Sequence, residues 1–341
     1  QVILMAILEK FNNRNSSIEL LRMWFMLMIV TIHAYSHGCG LDYDYLYSLG
    51  SDWSTAHHLG LLSLGKCGVT GFVFISGYYG VSLKWNKIGA MVAMLLFYNL
   101  LLALIGGQGL GIVRSMLHPW DAWWFIGSYI VICVLAPIIN KGIETLTKCQ
   151  FENNLLFMLF YEYVGRFVGM DNSHDTIFML TIFLTARYTR IYNCPQANVK
   201  RQKWIGWSAF LSGVVLFSIP ILFSMVGLEK LNKLFISNNN ILLVIFTACL
   251  VMTLDRIKFV NKYVNYMAAS TIAIYLLTDN GVVRKPLDTW LLQELLDGAK
   301  GFVYILAIAV LCLIIDKVRE CLFGFALKLL HKSNVKSIIT R

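Results

Sequence analysis

An all-α, polytopic membrane fold follows from two observations on this sequence. Hydrophobic residues make up 57% of the chain and charged ones only 14%, a balance outside the range of soluble globular domains. The apolar residues also gather in runs near the ~20 residues that a bilayer-crossing helix needs, rather than in short alternating segments. Ten runs qualify, at roughly 17–37, 58–79, 88–109, 120–140, 154–170, 174–192, 204–227, 239–254, 264–280 and 301–317. No soluble domain, low-complexity stretch or convincing internal repeat separates them, so a single membrane-embedded domain over 1–341 is expected.

The first run is the unusual one. It contains Glu19, Arg22, His33 and His37, and ionisable side chains at membrane depth are costly enough to mark functional sites. On a helix, Arg22 and His33 lie about 20° apart around the axis and roughly 16 Å apart along it. Glu19 precedes Arg22 by an ion-pair spacing. One stripe therefore offers an acid, a guanidinium and an imidazole. His33 and His37 are four residues apart, a usable metal pair, but Glu19 is too far along the axis to be a third ligand, and no metal is expected.

Between the first and second runs, residues 38–57 contain no Lys or Arg but offer Tyr43, Tyr45, Trp53 and several carboxylates, suited to stacking and hydrogen bonding on sugars; an interfacial aromatic belt is the plainer reading. The glycines at 65, 68, 71 and 77 in the second run favour close helix packing. Trp124 opens the fourth run as a further candidate substrate contact or belt residue. Glu162 and Arg166 are spaced to pair inside the bundle. The connection at 281–300 carries Arg284, Lys285, Asp288 and Glu294, and could close over an acceptor. The tail, 317–341, alternates basic and apolar residues as an amphipathic helix on the inner leaflet does.

Lys and Arg set the orientation. They concentrate at Lys10 and Arg14, Lys84 and Lys87, Lys141 and Lys148, Arg187–Lys203, Arg256–Lys262 and the tail, against Arg114, Lys230, Lys233, Arg284, Lys285 and Lys300 on the opposite side. Both termini are accordingly expected in the cytoplasm, in an inner or plasma membrane. Because this bias accounts for much of the net charge of +10, no nucleic-acid partner is expected. The eight cysteines show no C-x-x-C or paired spacing, which argues against a disulfide framework or a thiolate zinc site.

The pattern Glu19-x-x-Arg22-x10-His33 resembles the acyltransferase 3 family of integral membrane O-acyltransferases. Three further stretches are similar to family elements, in order along the chain: Gly65–Tyr79, with its Phe-x-x-Ser-Gly-Tyr ending; Trp123–Pro137, a Trp-Phe…Tyr…Pro helix; and Ala269–Asp279, a Ser-x-x-Ile-Tyr-Leu element. The resemblance implies transfer of an acyl group, acetyl above all, from cytoplasmic acyl-CoA to a hydroxyl of a surface polysaccharide or lipid-linked saccharide. It implies His33 as general base, with Arg22 and Glu19 supporting it. Arg22, Lys84 and Lys87 are the candidate coenzyme contacts; Tyr43, Tyr45, Trp53 and Trp124 are the candidate acceptor contacts.

The chain departs from the family pattern twice. Thr278-Asp279 stands where the late element commonly ends in His, and the arginine-rich inner loop is reduced to Lys84 and Lys87. Histidine suits the chemistry because its ordinary ionisation lies near neutrality. Direct attack and an acyl-His33 relay both remain open. The competing class is a proton-coupled transporter or flippase of a glycan or anion, in which the same three residues form a proton relay or anion site.

Overall fold

The structure, a computed structural model, describes residues 14–107, 123–165, 176–192 and 198–339, and from 326 on the backbone alone. Every long regular element among these residues is an α-helix, and no strand occurs.

Helix α1 (Ser16–Gly38) is delimited by local chemistry. Asn15 caps it by accepting from the Ser17 N–H, and Glu19 sits in the first turn, where a carboxylate complements the helix dipole. Gly40 follows at φ +69, a left-handed conformation that turns the chain sharply after the helix. The short α2 (Tyr43–Ser48) follows, and then α3 (Ala56–Gly65) and α4 (Cys67–Tyr79), which form one broken span with the turn at Lys66. Next come α5 (Trp85–Ile105), α6 (Trp124–Thr145), α7 (Lys148–Tyr163), α8 (Thr176–Tyr192) and α9 (Val199–Met225). A one-turn α10 (Asn232–Phe235) leads to α11 (Ile241–Leu254), α12 (Lys262–Ala268), α13 (Thr271–Thr278), α14 (Arg284–Leu296) and α15 (Lys300–Ile339).

Among the described residues, six spans are long and apolar enough to cross a membrane: α1, α3 with α4, α5, α6, α9 and the first part of α15. Not all of the ten spans expected from apolar runs are matched by long helices among the described residues. The described parts of α7, α8 and α11 run for 16, 17 and 14 residues, against the ~20 of an untilted crossing. The run at 264–280 is split into α12 and α13. The connection at 281–300, read as a loop, contains the 13-residue helix α14. Arg114 and Arg166 lie outside the described residues.

Helix α1 is the hub. It packs on α3, α4, α11, α12, α13, α14 and α15, and Phe25, Met26, Val30 and Tyr35 are fully enclosed. In a membrane the gain comes from close packing rather than from leaving water, so small residues matter at the interfaces. A Cβ at Gly71 would stand 2.2 Å from the Phe25 ring, and one at Gly77 would stand 2.6 Å from the Phe183 carbonyl oxygen. Polar contacts add register. Tyr35 Oη and His58 Nδ1 share a buried 2.7 Å hydrogen bond from α1 to α3, and Tyr98 Oη donates to Asp316 Oδ1 at 2.7 Å, joining α5 to α15.

Candidate active site

The sequence stripe on α1 becomes two separate sites in space, one at each end of the helix. The first turn of α1 is clamped onto the α11–α12 connection. Ser16 Oγ donates to Asn265 Oδ1 at 2.8 Å, the Ser16 N–H donates to the Phe259 carbonyl at 2.9 Å, and Asn265 Nδ2 donates to the Arg14 carbonyl at 3.0 Å. This clamp sets the position of the charges that follow. Glu19, 5% exposed, takes Arg22 on Oε2 at 2.9 Å and Arg14 on Oε1 at 3.5 Å.

Arg22 also lies over the Phe72 ring, 5.8 Å from its centroid. Around these groups opens a cavity of about 470 Å³, whose lining includes Arg14, Glu19, Arg22, Lys87, Ser76, Tyr79 and Tyr129. Three cations face one carboxylate there, so the cavity has a positive excess. Lys84, the other candidate coenzyme contact, caps α5 and is exposed, but it is not among the lining residues.

One wall of the cavity is held by residues that sequence reasoning left aside. Tyr79 Oη donates to Asp255, which also pairs with Arg190 Nη1 at 3.3 Å and Lys258 Nζ at 2.5 Å. Burial raises the Asp255 carboxyl, but hydrogen bonds from Lys258 and Tyr79 and the nearby cations outweigh it and hold the carboxyl below its ordinary range. The Gly65–Tyr79 motif ends at Tyr79. Nothing in the spacing of Arg190 and Asp255 points to their partnership, because it is made across three helix ends.

At the other end of α1, His33 and His37 come together, with ring centroids 4.9 Å apart. Asp279 caps the C-terminus of α13, and its Oδ1 is 3.7 Å from His33 Nδ1 and 3.9 Å from His37 Nδ1. Thr278, its neighbour, turns back onto its own helix by donating to the Ile274 carbonyl. Asp288 of α14 is 1% exposed and its Oδ2 lies 3.2 Å from His37 Nδ1. Burial raises the Asp288 carboxyl, while the hydrogen bond and charge of His37 work the other way. Arg284 Nη1 reaches Asp279 Oδ1 at 3.5 Å.

A file of aromatic rings joins the two ends. Phe72 meets Phe125 at 5.7 Å, Phe125 meets Tyr129 at 6.0 Å and Tyr275 at 5.9 Å, and Tyr275 meets His33 at 6.1 Å. Ser76 Oγ and Tyr129 Oη share a 3.1 Å hydrogen bond beside this file. Trp124 stands next to it, edge-on to Phe125 at 6.1 Å. The other candidate acceptor contacts are more peripheral: Tyr43 pairs with Tyr47 at 6.2 Å, Tyr45 is 40% exposed and Trp53 is 81% exposed.

A family model described as an acyltransferase domain matches residues 15–315. The chain belongs to the acyltransferase 3 family. The match begins at the α1 cap and ends within α15, so it takes in both ends of the site. As a family member with these apolar helices, the chain is a membrane protein and an acyltransferase. Neither the curated proteins nor the solved structures contain a match to it.

Proposed function

We propose that this acyltransferase moves an acetyl or other acyl group from cytoplasmic acyl-CoA to a hydroxyl of an extracytoplasmic surface polysaccharide, through its membrane domain. The observation that carries the reading is the placement of two chemically different sites along one face of α1. The cationic cavity at Arg22 has the charge and size to take the phosphate and pantetheine portion of a coenzyme. Guanidinium groups pair with phosphate oxygens in a fork, and Arg22, paired with Glu19, lines the cavity. Arg14 and Lys87 add two further cations to the lining.

A pantetheine arm laid along the Phe72–Phe125–Tyr275 file brings the thioester towards His33, roughly 16 Å away along the helix. His33 then takes the proton of the acceptor hydroxyl as its oxygen attacks the thioester carbonyl. The C–S bond breaks and coenzyme A leaves as the thiol or thiolate. Asp279 faces the imidazolium that forms and stabilises it, as carboxylates do in His–Asp pairs. Tyr43, Tyr45, Trp53 and Trp124 are assigned to the acceptor. Both termini lie in the cytoplasm of an inner or plasma membrane on this reading, following the Lys and Arg bias.

Purified protein in lipid should consume acetyl-CoA when a suitable glycan is present, and His33→Ala should abolish that turnover while leaving folding and coenzyme binding in place. Normal turnover in the His33→Ala variant overturns the assignment. Loss of acetyl groups from the surface glycan of cells lacking the protein identifies the acceptor.

A further inference from the structure

The histidine pair of α1 lacks a third ligand in the sequence, and the fold supplies one. The ligand atoms of His33, His37 and Asp279 all lie within 4.8 Å of one another. The Asp279 oxygen is 3.7 and 3.9 Å from the two imidazole nitrogens. Those gaps are too long for hydrogen bonds. They are near the spacing of ~3.3 Å between donors in a tetrahedral site with bonds of about 2.0–2.1 Å, so small side-chain shifts close the shell. We propose that His33, His37 and Asp279 bind a divalent transition-metal ion of the zinc class, and that its binding switches off acyl transfer.

The donor set selects the ion. Two imidazoles and one carboxylate suit zinc and its neighbours, whereas magnesium and calcium favour all-oxygen shells. The surroundings also favour a site. His33 and His37 sit one turn apart on the rigid hub helix, which keeps the two donors in register; the buried Asp288 carboxylate, 3.2 Å from the same His37 Nδ1, gives up that contact when the ion binds.

Arg284 limits the affinity. Its guanidinium lies 3.5 Å from the same Asp279 oxygen, and its side chain is 40% exposed, so an arriving ion displaces it outward. The metal then occupies the nitrogen lone pair that proton transfer needs. This inhibitory consequence rests on the proposed role of His33; the binding itself does not.

The test uses the full-length protein in detergent, dialysed against graded Zn²⁺ and analysed for bound metal, with acyl transfer followed in parallel. One zinc per chain is expected, with Mg²⁺ failing to compete. Binding should weaken at least about tenfold in Asp279→Asn and in His37→Ala, following the usual cost of disturbing a metal shell. It should tighten in Arg284→Gln and stay unchanged in His57→Ala. Zinc should inhibit transfer by the wild type with the same midpoint as binding, reversibly on chelation, and lose that effect in His37→Ala. Zinc binding unaffected by Asp279→Asn, His37→Ala and Arg284→Gln alike, or no zinc bound above the level of an unrelated membrane protein, overturns the site. Zinc binding with the expected dependences in a protein that transfers no acyl group supports the site and removes the proposed function instead. The Arg284→Gln gain keeps the test decisive if the other variants misfold.

Discussion

The two ends of α1 are built on opposite plans. At the Arg22 end, one buried carboxylate organises Arg14, Arg22 and Lys87 around a cavity of about 470 Å³. At the His33 end, two imidazoles and one guanidinium gather around two buried carboxylates at 3.2–3.9 Å. The first plan leaves excess positive charge facing an opening, as a receptor for a large anion requires. The second balances charge closely around a few atoms, as a centre that moves or holds a proton requires. Substitutions at one end should therefore change a different kinetic parameter from substitutions at the other.

The largest effect is expected at His33. Its replacement by Ala should lower kcat by about 10²–10⁴-fold, the range of a lost general base, with acyl-CoA binding measured by calorimetry unchanged. Arg22→Ala should act the other way round: a rise in KM for acyl-CoA of about 10–100-fold follows from losing a charge-assisted contact of roughly 1.5–3 kcal/mol, with the acceptor KM unaffected. If Arg22→Ala changes only the acceptor KM, the division between the two ends fails.

Asp279→Asn should lower kcat by about tenfold, and Asp279→Glu should recover part of it, because a carboxylate facing the imidazolium stabilises charge that appears only during proton transfer. Steady-state kinetics on the pair separates this from a merely structural loss. Gly71→Ala should cost about 1–3 kcal/mol of stability by overpacking against Phe25, read as a lower melting temperature. The smallest contrast is between the two lysines of the α4–α5 region. Lys87→Ala should raise the acyl-CoA KM a few-fold, about the worth of one exposed charge, and Lys84→Ala should leave it unchanged.

How much of this was legible in the sequence varies by element. The helical character of α1, its ionisable stripe and its axial dimensions follow from 3.6 residues per turn and a bilayer-length apolar run, and these properties are local. The ordered motifs at Gly65–Tyr79, Trp123–Pro137 and Ala269–Asp279 contribute Phe72, Ser76, Tyr79, Tyr129 and Thr271 to the cavity lining. Apolar composition does not say where a helix breaks: the run at 264–280 looks continuous, yet α12 and α13 are separate. Asp288 read as one of several loop charges, whereas α14 folds it onto α1 and buries it.

The sequence by itself determined that this chain is an all-helical membrane protein whose first helix carries an acid, an arginine and two histidines in register, because hydropathy and helical periodicity act over a few turns. The tertiary structure alone decided the partners of those groups. Tyr79, Arg190 and Asp255 meet beside the cavity, and Asp279 and Asp288 meet the two histidines, through helix packing between residues up to about 250 positions apart in the chain. No periodicity connects such positions. Their contact is set by the close approach of α1 and α4 at Gly68 and Gly71, by the polar clamp at Ser16 and by the docking of α13 and α14 on α1, and these are properties of the assembled bundle.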